Sequence, residues 1–103
     1  MNDWNGITDE WINLKIFEYI YGKLDTVDSD ILKLWHKNKF QYCSSWERAG
    51  DLIRNYEIGI TPDCGGDFPQ WKAVNRFMHI EAVHENPLRA VAVAFLLMND
   101  IKP

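Results

Sequence analysis

Cysteine is almost missing from this chain of 103 residues, with only Cys43 and Cys64. They show neither CxxC spacing nor histidines at zinc-like intervals, so they give no metal framework, and reduced thiols in a cytosolic protein are the expected state. One disulfide between them stays open. Glycine (6) and proline (4) are also sparse, and no Pro-, Gly- or Ser-rich linker divides the chain. A single domain over residues 1–103 is expected, large enough to bury one core without disulfides or a structural metal. Basic charge is in deficit: 11 Lys and Arg against 15 Asp and Glu give a net charge of -4. Without a basic stripe to displace counterions, nucleic acid is disfavoured as a partner, and an anionic membrane surface likewise. Long apolar runs are missing too. The longest, residues 90–98, is far short of the roughly 20 residues of a bilayer span, and the opening MNDWNGITDEW lacks the basic and apolar regions of an export signal. A soluble, cytoplasmic protein is expected.

Aromatic residues are abundant, at 14%, with five Trp, four Tyr and five Phe. They supply a small core or one exposed adhesive face, and the core is the default use. Thr8 followed by Asp9 and Glu10 reads as a helix start, a hydroxyl cap with two acids near the positive end of the dipole, and Gly22 as its stop. Trp11, Ile12, Leu14, Ile16, Phe17, Ile20 and Tyr21 cover nearly every direction around that helix, so it must be buried on more than one side or keep a face for a second subunit. Residues 23–39 are less regular; Asp28, Ser29 and Asp30 can cap a short helix with Ile31, Leu34 and Trp35 on one face. Ser44-Ser45-Trp46-Glu47 has the form of a capping box, with Ser44 as the cap of an amphipathic helix that places Trp46, Ala49, Ile53 and Tyr56 inward.

From Glu57 the period changes to two, with Ile58 and Ile60 on one side, before the breakers Pro62, Asp63, Gly65, Gly66, Asp67 and Pro69. Residues 70–74 and 77–83 read as paired strands about a tight turn near Asn75 and Arg76, with Met78, Ile80 and Ala82 on one face and His79 and Glu81 on the other. Asn86-Pro87 then opens a last helix: the Asn side chain caps the first turn, and proline loses nothing at the first helical position.

The segments EWINLKIFEYIYG (10–22), YCSSWERAGDLI (42–53), Trp71 with Ala73, and NPLRAVAVAFLLM (86–98) resemble the small phage proteins of the ABA-sandwich type, including the NinX-like proteins of lambdoid phages. Residues 23–39 depart from that pattern. The resemblance implies a phage or prophage origin and helices on both faces of a small antiparallel sheet; it implies no catalytic residue. The expected class is α+β, an α/β/α sandwich with an antiparallel sheet of about three strands flanked by three main helices.

His79, Glu81 and His84 form the one pattern with metal-ligand residue types, HxExxH. It lacks the i, i+4 helical histidine pair of the metalloproteases, and an exposed polar strand face is its ordinary reading. Asp25, Asp28 and Asp30 lack the glycine and distal glutamate of a calcium loop, and Gly65-Gly66 lacks the following Lys-Ser/Thr of a phosphate loop. No cofactor is expected. Cys43 beside a helix start has no histidine close in sequence, so a small buried residue fits it better than a nucleophile. Among the tryptophans, Trp46 and Trp71 fall at core positions, while Trp4 and Trp35 are candidates for an interface. The expected function is a small accessory protein that binds a host or phage protein, with antagonism of a host defence system as one form; the alternative is a metal-dependent or nucleotide-related enzyme using His79, Glu81 and His84. A homodimer through Trp11, Leu14, Phe17 and Tyr21 is also expected from the apolar first helix.

Overall fold

The computed structural model describes residue 4 and residues 6–63 and 69–103. Cys64, Gly65 and Gly66, and with them the disulfide and the phosphate-loop readings, lie outside the described residues. Among the described residues four helices, α1 (Asp9–Tyr21), α2 (Ser29–His36), α3 (Trp46–Tyr56) and α4 (Pro87–Met98), accompany three strands, β1 (Gly59–Asp63), β2 (Gln70–Asn75) and β3 (Ile80–His84). The class is α+β, with a small antiparallel sheet flanked by helices.

Local chemistry sets the helix ends. The Thr8 hydroxyl accepts the Trp11 N–H at 3.1 Å, and Gly22 ends α1 at φ 103°, a region open to glycine. The Asp28 carboxylate accepts the Asp30 N–H at 2.9 Å and starts α2. The Asn86 side chain accepts the Leu88 N–H at 2.9 Å, with Pro87 at the first position of α4. Helix α3 differs by one residue from the expected capping box: Ser45, not Ser44, caps it, accepting the Arg48 N–H at 3.3 Å. The reason lies just upstream, where the N–H groups of Ser44 and Ser45 both donate to the Gln41 carbonyl and hold Ser44 in the preceding turn.

Helix α4 is the centre of the molecule. All nine residues from Leu88 to Leu96 are buried. One side of α4 lies on β2 and β3, and the other meets α1 and α3. Helices α1 and α3 thus reach the sheet through α4, and Thr61 and Glu81 are exposed on the sheet face away from it. Phe95 joins the helices, with Tyr19 of α1 and Tyr56 of α3 set edge-on to its ring at centroid distances of 5.5 and 4.7 Å. Ala90, Ala92 and Ala94 are buried among these layers and permit the close approach. Replacing Ala94 by leucine has no space to fill and is expected to cost about 1–3 kcal/mol, read as a lowered urea midpoint.

The far side of α1 has a cover of its own, made by α2 and the segment that follows it. Phe17 contacts Tyr21, Trp35 and Phe40 at 5.1, 4.9 and 5.0 Å between ring centroids. This explains how a helix apolar on most sides sits in one small chain: α4 takes one side, and the 35–40 segment takes the other.

The sheet order is β1-β2-β3, a meander with both pairs antiparallel. Ala73 pairs with Ile60 and with Ala82, which puts these three on the face toward α4. The β2–β3 connection is longer than the tight turn expected. Residues 76–79 all belong to the turn, and β3 begins at Ile80, so Met78 and His79 are not strand residues.

Candidate interaction surface

The β2–β3 turn presents two strongly exposed large apolar side chains, Phe77 at 77% and Met78 at 50% exposure. A turn that was free to move would pay ordering entropy each time it met a partner, and this one is held. Asn75, buried at the end of β2, accepts the Met78 N–H at 3.0 Å and donates from Nδ2 to the Tyr56 carbonyl, also at 3.0 Å. The turn is thereby fastened to the last residue of α3. His79 closes it in the left-handed region, at φ 55°. Two open grooves flank the turn and share Val74 and Arg76: one of about 490 Å³ against Glu57, Ile58, Gly59 and Phe77, and one of about 430 Å³ against Asn75, His79, Ile80 and Glu81. Arg, Phe and Met side chains are the types enriched at the centres of protein interfaces, and here they are consecutive.

The proposed metal ligands do not converge. His79 is in the turn, so the strand alternation that would set it beside Glu81 is broken. Glu81 reaches across to Lys72 at 3.7 Å. His84 faces α4, because it pairs with Trp71 on the Ala73 face, and its Nδ1 accepts the Asn86 N–H at 2.9 Å. Burial, then the nearby Arg89 guanidinium, lowers the His84 pKa. Among the described residues no three His, Cys, Asp or Glu side chains are grouped to hold a metal ion.

The expected interface residues separate into two kinds. Phe17 is fully buried and forms core, contrary to its place in an outward stripe. Trp4, Trp11 and Trp35 are partly buried against the core, Trp4 and Trp11 edge-to-face at 6.0 Å, and Leu14 is half-buried. Tyr21 stays exposed at 42%, beside Tyr19 and Ile20. The two tryptophans assigned to the core are instead open, Trp46 at 62% and Trp71 at 37%. The one-residue shift of the α3 cap makes Trp46 the first helical residue, and Leu52, which the sequence pattern passed over, fills the inner face with Ala49.

Sequence reasoning also missed a buried polar centre at the start of α4. Arg89 is 8% exposed and donates to Asp9 at 2.6 Å, to the Ile7 carbonyl at 2.6 Å and to the Trp4 carbonyl at 2.8 Å. Cys43 is free and buried nearby, and the Asn86 amide donates to its carbonyl at 3.0 Å. Burial foremost, then the Asp9 charge, pushes the Cys43 thiol up to about 12, which leaves it protonated and inert near neutral pH. Asn13 completes the set, donating to Gln41 and accepting the Cys43 N–H, both at 3.1 Å. These groups satisfy one another and tie remote segments together. No helix among the described residues is long and apolar enough to cross a membrane. The chain matches no protein-family model, no curated protein and no solved structure.

Proposed function

We propose that the protein works by binding another protein through the β2–β3 turn. The observation that carries this reading is the pair Phe77 and Met78, exposed on a turn that Asn75 holds in one shape. Apolar surface of this kind gains free energy when covered, and a fixed turn loses little entropy in doing so. The resemblance of residues 10–22, 42–53 and 86–98 to small phage proteins supports a partner from the bacterial host or the phage, met in the host cytoplasm, with antagonism of a defence system as the biological role. A contact between different proteins is favoured over a homodimer through α1, because the centre of that stripe, Phe17, is buried within the chain.

The test is comparative capture from host cells with and without phage, using the wild-type chain and the double variant Phe77→Ser, Met78→Ser. Both side chains are largely in solvent, so the variant is expected to keep its urea midpoint. A partner retained by the wild type and lost by the variant at unchanged stability supports the reading; a partner captured equally by both overturns it.

A further inference from the structure

Between the C-terminal end of α1 and the face of α3 lies a pocket of about 270 Å³, the share of roughly nine liquid waters. Ile20 and Leu52 give it apolar walls, and Tyr21, Tyr42, Tyr56, Arg48, Asp51 and Asn55 give it polar groups. Tyr42 is its distinctive member. This side chain is 3% exposed, yet among the described residues its hydroxyl makes no hydrogen bond. Among the described residues no fully enclosed side-chain polar atom lacks a partner, so the small part of Tyr42 still open includes that hydroxyl. Its electrostatic neighbours are Tyr21, Arg48, Asp51 and Tyr56, all of them pocket walls, which directs the hydroxyl into the pocket. The hydroxyl therefore opens to the pocket with no partner among the described residues and is available to a ligand.

The surrounding charges select the partner. Asp51 makes its closer ion pair with Arg54, at 2.8 Å, and stands 3.8 Å from Arg48. The three charges sum to +1, in a chain whose net charge is -4. Arg48 is held in place by its Nε, which donates to the Lys39 carbonyl at 2.5 Å, and by the Phe40 ring, 4.7 Å from its guanidinium carbon. One Asp51 oxygen is already taken by Arg54, which leaves Arg48 as the cationic wall of the pocket. We propose that this pocket is a binding site for a small organic carboxylate, whose charged end is taken by the Tyr42 hydroxyl and the Arg48 guanidinium and whose ring or branched body lies against Ile20, Leu52 and the tyrosine rings.

The test uses benzoate, with benzamide as a neutral molecule of the same shape, followed by backbone amide shifts of residues 48–56. Benzoate is expected to move these signals saturably and to bind at least about ten-fold tighter than benzamide, as a charge-assisted hydrogen bond requires. Tyr42→Phe is expected to weaken benzoate about ten-fold while keeping or raising the urea midpoint, because the hydroxyl it removes has no partner within the protein. Arg48→Gln is expected to abolish the preference for benzoate over benzamide. Equal binding of the two probes to the wild type, equal benzoate binding by Tyr42→Phe, or no saturable shift with either probe would overturn the assignment.

Discussion

Phe17→Glu is expected to unfold the protein, and Phe17→Ala to lower its stability by about 3–5 kcal/mol. The ring is fully buried among Tyr21, Trp35 and Phe40, so its loss opens a cavity at the junction of α1, α2 and the segment after α2. Total stabilities of domains of this size are about 5–15 kcal/mol, and a carboxylate at the same place adds the cost of burying a charge without a partner. Urea titration followed by circular dichroism reads both variants. If Phe17 were instead the centre of a self-association surface, Phe17→Glu would stay folded and sediment as a monomer where the wild type sediments as a dimer.

Arg89→Ala is expected to cost about 3 kcal/mol and to loosen the segment before α1. Removing one member of a buried ion pair leaves the other members without compensation. Here the groups left behind are two backbone carbonyls, of Trp4 and Ile7, and the Asp9 carboxylate. Asp9→Asn is expected to cost less, because Arg89 keeps the Trp4 and Ile7 carbonyls as acceptors and the asparagine oxygen still accepts at the half-open Asp9 position. Tryptophan emission, to which Trp4 and Trp11 contribute as an edge-to-face pair, provides a second readout: a red shift below the global transition in Arg89→Ala that is absent from Arg89→Ala carrying Trp4→Phe marks local release of the segment. A loss under about 1 kcal/mol would show that the guanidinium is dispensable.

These two residues also show where sequence reasoning succeeds and where it stops. The starts of α1 and α4 were legible because a cap and its partner are two or three residues apart, as with Thr8 and Trp11 or Asn86 and Leu88. The face of each core helix was less legible, since Phe17 is core only because Trp35 and Phe40 return to it from later in the chain. Arg89 gave no signal at all. An arginine in an apolar helix reads as a solvated interruption, and its partners stand 80 or more positions away. The interaction surface was hidden by a rule that usually holds. Alternation carried Met78, Ile80 and Ala82 onto one strand face, but the Asn75 side chain takes the Met78 N–H and turns that segment outward. Trp46 has the helical spacing of an inner residue, but it opens α3 at its first position and stays 62% exposed.

Hydrogen exchange of the captured complex tests the central claim most directly, because it reports which amides a partner covers. Protection gained at residues 76–80, with α1 unchanged, is the result this account predicts. Protection gained along α1 at Trp11, Leu14 and Tyr21, with the β2–β3 turn exchanging as it does in the free protein, would contradict it.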